Sequence, residues 1–401
     1  MDIDVRPCGS VDELRRAFVI SHYFGSVVDE EGAERFSRVL PVERMQAAWQ
    51  GGESVGGAGA FPSELSVPGG RSVPAGGVTV VGVLPTHRRR GVLTALMRAQ
   101  LDQLREAGEP VAFLWASEGT IYGRYGYGLA SWQLEVAVPR ERTAFARPAE
   151  RFGRVRFVSR DEALEAFPRV YERVFAQRPG FFARSPAWWD VRTLRDAPPG
   201  QPPFERVLLE VGGEPQGYAF YQVHQSWEHG STSGHVDVAE ALGATPEATR
   251  AIWRYLLDLD WTAEIRADKL PVDHPLLLLL AEPRRSGARV GDCLWVRLVD
   301  VGAALAARGY AGDGELVLEV RDAFCPWNEG RWRLAEGRAE RTGAEPDLAL
   351  DAEALGSVYL GGVSFRELAA ALRLEERRQG AAERADAVFG RGPAPWCPEI
   401  F

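Results

Sequence analysis

Short apolar runs alternate with amphipathic segments along the chain. Residues 10–50 carry apolar side chains at helical spacing, which predicts helices. Glycine- and proline-rich breaks at 51–60 and 68–77 then separate short apolar runs, a pattern typical of strands joined by turns. The β-branched run Gly77–Leu84 predicts a further strand, and Pro85 marks its predicted end.

The alternation continues beyond this strand. The pattern predicts a helix starting near Gly91, a buried strand at Val111–Ala116, a short helix through Tyr122 and a strand at Trp132–Val138. An order of strand, helix, strand, helix and strand is typical of an α/β layered domain.

Two further units follow the first. A second series of strands and helices begins near residue 151 and repeats the same order, and a third begins at Cys293. We therefore expect a chain of α/β and α+β domains, divided at residues 1–145, 146–290 and 291–401.

Composition and charge narrow the functional class. The chain has 401 residues, of which 45% are hydrophobic and 26% charged, so it can bury several cores. Its net charge of -9 argues against a nucleic-acid partner. The most apolar run, Leu276–Ala281, is too short to span a membrane, and the N-terminus lacks the pattern of a secretory signal. We expect a cytoplasmic protein with no membrane contact.

The cysteines and histidines do not predict a metal site. The four cysteines are scattered and form no Cys-x-x-Cys pair. His224 and His229 lie five residues apart, but no matching second pair follows. We therefore expect no metal and assign these two histidines to structure or surface.

The segment Val81–Leu93 carries candidate chemistry. A predicted strand ends at Pro85, and a turn with Arg88, Arg89, Arg90 and Gly91 opens the next helix. The N–H groups of a helix N-terminus bind anions, arginine adds charge, and glycine lets the backbone approach a ligand closely. A pyrophosphate would fit such a site well, although the three arginines alone favour a solvated basic turn. The segment contains neither a P-loop nor a dinucleotide fingerprint.

The arginine and glycine spacing resembles motif A of the GNAT superfamily of N-acetyltransferases, Arg-x-x-Gly-x-(Gly or Ala), with Leu93 in place of the final small residue. One strand later, Tyr122–Tyr127 matches Tyr-x-x-x-Gly-Tyr, in which GNAT enzymes often hold the tyrosine that protonates the departing thiolate of coenzyme A. The resemblance implies this role for Tyr122. Without the resemblance, a buried tyrosine hydrogen-bonded to the backbone would be the favoured explanation of this residue.

The chain as a whole is similar to a narrower group, the enhanced intracellular survival (Eis) family of actinobacterial acetyltransferases. The stretches that carry the likeness are PTHRRRGVLTALM, ASEGTIYGRYGYG, LWVRLVDVGAALAARGY and LGSVYLGG. The resemblance implies two GNAT-like domains, of which the first alone binds acetyl-coenzyme A, then a sterol-carrier-protein-like domain, and assembly into a hexamer. Residues 238–247 offer acidic groups where phosphates would need positive charge, so we expect the second copy to be degenerate.

The resemblance also implies roles for individual residues. The C-terminal carboxylate of Phe401 would act as general base beside Tyr122, or as an anchor for a cationic substrate. The family often places an acidic residue directly before its terminal phenylalanine, whereas this chain has Ile400 there and Glu399 one position earlier. The residues expected to contact acetyl-coenzyme A are Val81, Val83, Arg88, Arg89, Gly91, Val92 and Ser117, and those expected to contact the amine are Phe24, Asp29, Phe36 and Glu399.

These implications predict an N-acetyltransferase that uses acetyl-coenzyme A. The acceptor would be an amine of an aminoglycoside-type polyamine or of a lysine side chain, attacked directly in a ternary complex without a metal. One alternative is a non-catalytic protein that binds a lipid or another hydrophobic ligand on a GNAT scaffold. A second is an acyltransferase for longer acyl groups, since the sequence does not determine the volume near Val81.

Overall fold

The protein was analysed as a computed structural model, which describes residues 3–23, 25, 27–148 and 150–401. The chain forms two compact units. The first contains the residues up to Ser131, Cys293–Pro395 and Ile400–Phe401, and the second contains Trp132–Asp292 and Trp396–Glu399. Among the described residues, no helix has the length and apolarity needed to cross a membrane.

The first unit is built on a seven-stranded sheet. Its strands are β1 (Asp4–Pro7), β2 (Met45–Gln50), β3 (Glu53–Val67), β4 (Arg71–Val83), β5 (Val111–Trp115), β6 (Gly128–Leu129) and β16 (Leu294–Leu298), in the order β1-β2-β3-β4-β5-β16-β6. Only β4 and β5 are parallel neighbours. The helices of this part are α1 (Val11–Ala17), α2 (Glu30–Ser37), α3 (Val92–Glu106) and α4 (Gly119–Tyr122).

Two details of this sheet differ from the sequence prediction. Residues Met45–Gln50 form a strand, not a helix, because they pair with β1 and β3 on both sides. The glycine-rich break at 51–60 lies mostly inside β3. Its glycines permit close packing: a Cβ atom at Gly57 would overlap with the carbonyl oxygen of Ala17, and one at Gly59 would lie 2.7 Å from Leu40 Cδ2.

The first unit also contains a five-stranded sheet from the C-terminal part of the chain. Its strands are β17 (Leu316–Arg321), β18 (Gly330–Ala335), β19 (Arg338–Arg341), β20 (Leu348–Asp351) and β21 (Leu374–Glu376), in the order β19-β18-β17-β20-β21. The helices here are α9 (Val301–Ala307), α10 (Ala352–Tyr359), α11 (Phe365–Ala370) and α12 (Ala381–Phe389).

The second unit has its own seven-stranded sheet, in the order β15-β7-β14-β13-β10-β9-β8. Its strands are β7 (Trp132–Pro139), β8 (Arg154–Phe157), β9 (Phe204–Val211), β10 (Glu214–His224), β13 (His235–Gly243), β14 (Glu264–Pro271) and β15 (Arg289–Asp292), with a separate hairpin of β11 (Trp227–Glu228) and β12 (Ser231–Thr232). The helices are α5 (Arg160–Phe175), α6 (Pro186–Trp188), α7 (Pro246–Leu257) and α8 (Leu276–Leu279), and α5 and α7 contribute to separate buried clusters.

Two strands lie in a different sheet from the one that sequence order predicts. β7 follows the first GNAT-like segment but pairs with β14 and β15 of the second unit. β16 opens the C-terminal segment but pairs with β5 and β6 of the first unit. Hydrophobic patterning identifies both strands and contains no information about which sheet each one completes.

Candidate active site

The central feature of the first unit is an opening between two parallel strands. β4 and β5 pair only at Ala75–Gly77 and Val111–Phe113. Beyond Gly77, the described strands give β4 no further partner on this side, although it continues to Val83. Its backbone N–H and C=O groups there need a partner, and an extended ligand can supply one.

A bulge distorts β4 along this opening. Relative to β3, β4 carries an extra residue between Thr79 and Gly82, and Val80 has a φ of 57°. A β-branched residue in this left-handed region is a true outlier, and such strain is concentrated at functional sites. The predicted contacts Val81 and Val83 both lie on this stretch and are half-buried.

The carbonyl of Val83 already has a partner within the first unit. The hydroxyl of Tyr23 donates to it, and the guanidinium of Arg88 lies 5.0 Å from the centroid of the Tyr23 ring, with Nε 3.1 Å from the hydroxyl oxygen. Sequence reasoning missed Tyr23, because nothing in its local pattern links it to a residue 65 positions away.

The opening leads to the N-terminus of α3. Gly91 is the residue before this helix, with a φ of 80°, and no side chain caps the helix. A Cβ atom at Gly91 would meet nothing within 4 Å, so glycine is favoured there by its backbone angle and not by lack of space. Arg88 and Arg89 are exposed, whereas the side chain of Val92 is buried, so that Val92 can contribute only its backbone N–H.

In the second unit, the corresponding helix N-terminus is capped and the corresponding gap between strands is filled. The N-terminus of α7 is capped by Thr245, whose hydroxyl accepts a hydrogen bond from the N–H of Ala248 at 3.2 Å. Trp396 and Pro398 lie where β13 and β14 separate, and the remaining space there is about 10 Å³, which is at the lower limit for one water molecule. This agrees with the expectation that the second copy is degenerate.

Tyr122 lies at the end of α4 in a cluster of buried side chains that also includes Val78 of β4 and Leu114 of β5. Its side chain is 5% exposed. Burial raises the pKa of Tyr122 to about 12, and a hydrogen bond with the hydroxyl of Ser117 acts in the opposite direction. The phenol is therefore protonated at neutral pH. Ser117, expected to contact acetyl-coenzyme A, is exposed and lies beside this phenol.

The C-terminal residue packs where β4 and β5 part. The ring of Phe401 lies 5.0 Å from that of Phe61 and 5.3 Å from that of Phe113, edge-on in both cases. Phe113 pairs with Gly77, the last residue of β4 that pairs with β5. A Cβ atom at Gly77 would overlap with the Phe61 ring, so this glycine makes room for the aromatic cluster. Sequence analysis found Phe401 and missed both partners.

The predicted amine-binding residues have separate environments. Phe36 packs edge-on against Phe18, with the ring centroids 5.0 Å apart. Asp29 caps α2, and its carboxylate accepts a hydrogen bond from the N–H of Gly32 at 2.8 Å. Phe24 lies outside the described residues.

Glu399 has a different role from the one that we expected. In the second unit its Oε2 lies 2.9 Å from Nε of Arg184, a side chain that is fully buried. The same oxygen accepts hydrogen bonds from Trp188 Nε1 at 3.1 Å and from Thr193 Oγ1 at 2.8 Å. A carboxylate with these three partners anchors the C-terminal segment, and we therefore leave Glu399 out of the amine pocket.

Comparison with known families agrees with this architecture. Residues 9–130 match an acetyltransferase (GNAT) domain family, residues 180–298 match a second acetyltransferase (GNAT) domain family, and residues 301–398 match a sterol carrier protein domain family. The chain is therefore a GNAT acetyltransferase with two GNAT domains and a sterol-carrier-like domain, as predicted.

Full-length relatives define the family. The chain is 43% identical over 389 residues to an uncharacterized N-acetyltransferase of Streptomyces avermitilis, with 94% of each chain covered. It is 36% identical over 384 residues to the N-acetyltransferase Eis of Mycobacterium tuberculosis, with 91% of each covered. The crystal structure of Eis1 from Mycobacterium abscessus matches with a TM-score of 0.88 at 36% identity, covering 100% of both chains. The protein belongs to the Eis family of N-acetyltransferases, which confirms the enzyme interpretation over the non-catalytic one.

Proposed function

We propose that this enzyme transfers the acetyl group of acetyl-coenzyme A directly to an amine within a ternary complex. One observation carries the proposal: the unpaired edge of β4 runs from the aromatic cluster around Phe401 to the uncapped N-terminus of α3. An extended thioester with a diphosphate at its far end matches these two features in chemistry and in order.

The first unit has suitable groups along this edge. Backbone groups of Val81 and Val83 would pair with the amides of the pantetheine arm, and the Val83 carbonyl would exchange its Tyr23 hydroxyl for a ligand amide. The backbone N–H groups that follow Gly91, with the guanidinium groups of Arg88 and Arg89, would hold the diphosphate. The left-handed turn at Gly91 and the missing cap are both features that this role requires.

The transfer requires two proton movements. The amine nitrogen forms a bond to the thioester carbonyl carbon, the carbon–sulfur bond breaks, the nitrogen loses a proton and the thiolate gains one. Tyr122 would donate to the thiolate. The terminal carboxylate of Phe401 would accept from the nitrogen after attack, when that nitrogen has become acidic, or would hold a cationic acceptor in place.

The raised pKa of Tyr122 limits how it can act. Complete proton transfer from a phenol of pKa about 12 to a thiolate whose thiol has a pKa of about 8.5 is uphill by about 5 kcal/mol. This pKa already includes the hydrogen bond with the hydroxyl of Ser117, which lowers it, so the cost would be larger without Ser117. Tyr122 therefore stabilises the departing thiolate first as a hydrogen-bond donor, with proton transfer following as coenzyme A leaves.

The acceptor class follows from the family resemblance. We propose primary amines of aminoglycoside-type polyamines or of lysine side chains, with Phe36 and Asp29 at the mouth of the amine pocket. We also propose a homohexamer, which light scattering would report as six chains of 44.1 kDa.

Release of free thiol from acetyl-coenzyme A, measured with aminoglycosides, polyamines and lysine peptides as acceptors, tests the reaction. Tyr122→Phe is expected to lower kcat by roughly 100-fold or more, the usual contribution of a general acid, with little change in the KM for acetyl-coenzyme A. The matched control is Tyr127→Phe, since this buried ring lies 6.0 Å from that of Tyr122. Equal turnover in both variants would remove Tyr122 from the mechanism.

The role of the terminal residue is tested by extension of the chain. Two residues added after Phe401 are expected to lower kcat at least tenfold. The addition converts the carboxylate of Phe401 into an amide. The added residues also have to extend out of the cluster in which Phe401 packs against Phe61 and Phe113. The same two residues added at the N-terminus serve as the control. Full activity of the C-terminally extended enzyme would exclude the carboxylate as a base.

A further inference from the structure

Two histidines and an aspartate meet on the sheet of the second unit. His224 ends β10 and His235 begins β13, and the two are register partners across the antiparallel pair. Asp237 follows two residues later, so that its side chain lies on the same face of the strand as that of His235. This pairing differs from the sequence expectation, which placed His224 with His229.

The ligand atoms of these side chains converge. Oδ2 of Asp237 lies 3.2 Å from Nε2 of His224 and 3.4 Å from Nε2 of His235. Bonds of about 2.0–2.2 Å to a tetrahedral Zn²⁺ place neighbouring ligand atoms about 3.3–3.6 Å apart, so both distances lie within about 0.1 Å of the edges of such a tetrahedron. All three ligand atoms lie within 4.8 Å of one another.

The surrounding charges leave this aspartate available for a cation. Among the described residues, Asp237 has no arginine or lysine within ion-pair distance, and its contacts are the two imidazoles. Arg266 is its register partner on β14, but that guanidinium donates to Glu264 at 2.6 Å. The imidazole rings stack in parallel with their centroids 4.7 Å apart, so one ring has to turn before the Nε2 lone pairs of both can point at one ion.

We infer that His224, His235 and Asp237 form a binding site for a divalent transition metal such as Zn²⁺ or Co²⁺. Two imidazoles and one carboxylate suit these ions, whereas Ca²⁺ and Mg²⁺ prefer ligand sets made of oxygen alone. Three protein ligands leave one position of a tetrahedron to water or to a small anion.

The site is accessible from solvent. The exposed fractions of the three side chains are 27%, 25% and 46% for His224, His235 and Asp237. Asp237 also lines a cleft of about 960 Å³ within the second unit, together with charged side chains that include Glu264 and Arg266. A metal could therefore enter without unfolding of the sheet, and a ligand in the cleft could reach the open position.

The inference is independent of acetyl transfer, because its three residues lie in the second unit and Tyr122 and Phe401 lie in the first. The four cysteines are buried and are poor competitors for an added ion. The test uses the full-length chain without a histidine tag, titrated with Co²⁺ and with Zn²⁺ by calorimetry and, for Co²⁺, by visible absorption.

We expect one Co²⁺ per chain, with the intense visible bands of a tetrahedral complex. His235→Gln and Asp237→Asn should each weaken binding at least tenfold, whereas His229→Ala, which alters a nearby histidine outside the cluster, should bind like the native chain. Zn²⁺ should raise the Tm of the native chain and of His229→Ala but not that of the other two variants. Binding that is absent, or that is equal in all four proteins, would overturn the site and leave a histidine–aspartate cluster without a metal.

Discussion

At the scale of single residues, burial determines the charge of His274. This side chain is 5% exposed, its ring lies 5.2 Å from that of Trp253, and its Nδ1 accepts a hydrogen bond from the N–H of Leu276 at 3.1 Å. Burial, and then the positive charge of Arg178, lower the pKa of His274 to about 3. The imidazole is therefore neutral in the folded protein, which its acceptor role at Nδ1 also requires.

The depressed pKa predicts acid sensitivity. The unfolded chain binds a proton at His274 below pH 6.5 and the folded chain binds one only near pH 3, so this contribution to stability is complete above pH 6.5 and is lost as the pH falls. Between pH 7 and 5.5 the native protein should lose about 1 kcal/mol of unfolding free energy more than His274→Asn, whose side-chain oxygen can accept from Leu276. Urea titrations at both values measure this. An equal loss in the two proteins would contradict it.

Glu399 shows that the partner of a candidate residue can lie far from it along the chain. Its position near the C-terminus made it a candidate for binding a cationic substrate. The structure pairs its carboxylate with the buried Arg184, and only the folded chain brings together two residues so far apart in sequence. A role that depends on such a distant partner cannot be inferred from local spacing.

At the scale of elements, the two glycines that flank α3 allow the effects of backbone strain and of ligand binding to be measured separately. Gly91 before the helix and Gly108 after it have φ values of 80° and 71°, and a Cβ atom at either would meet nothing within 4 Å. Alanine should therefore lower the unfolding free energy by about 1 kcal/mol at both positions. Gly91→Ala should also raise the KM for acetyl-coenzyme A, because it alters the proposed diphosphate turn, whereas Gly108→Ala should not. Urea unfolding and initial rates measure the two effects, and equal KM values would argue against the turn.

Much of the element pattern could be predicted from the sequence. The strand at Gly77–Leu84, the helix after Gly91 and the strand at Val111–Ala116 all form, because their apolar periodicities agree with their local propensities. Met45–Gln50 forms a strand despite its helical pattern. Backbone pairing with β1 on one edge and β3 on the other outweighs the weak helical preference of this segment.

The candidate site could be predicted only where it is contiguous in sequence. Arg88, Gly91 and Tyr122 lie in short motifs, which made them candidates. The aromatic partners Phe61 and Phe113 were missed, because they lie on two different strands and meet Phe401 only in the folded unit. The cluster of His235 with His224 was missed for the same reason, since its geometry depends on the register of two strands.

At the scale of the whole molecule, the first sheet is not built from one contiguous segment, because β16 joins it from beyond the residues of the second sheet. The fragment 1–145 contains β7, which belongs to the other sheet, and lacks β16, which covers the edge of β5. We expect this fragment to aggregate, because its apolar edge strand is unpaired.

A shortened chain that lacks the second unit but keeps β16 is the matched comparison for the fragment 1–145. Replacement of residues 132–292 by a short glycine linker, with the chain ending at Pro395, keeps β16 in place, since Cys293 N lies 3.1 Å from the carbonyl oxygen of Ser131. This chain should be soluble and should unfold cooperatively in thermal circular dichroism. Cooperative unfolding of the fragment 1–145 alone would show that β16 is dispensable.

The placement of β16 and Phe401 also has a consequence for synthesis in the cell. A domain that is contiguous in sequence can fold while later segments are still being translated. Here the first sheet lacks a strand until Leu298 has been made, and the aromatic cluster at its opening lacks a ring until Phe401 has been added. A chain that stops before Phe401 thus lacks the ring that packs against Phe61 and Phe113 at this opening.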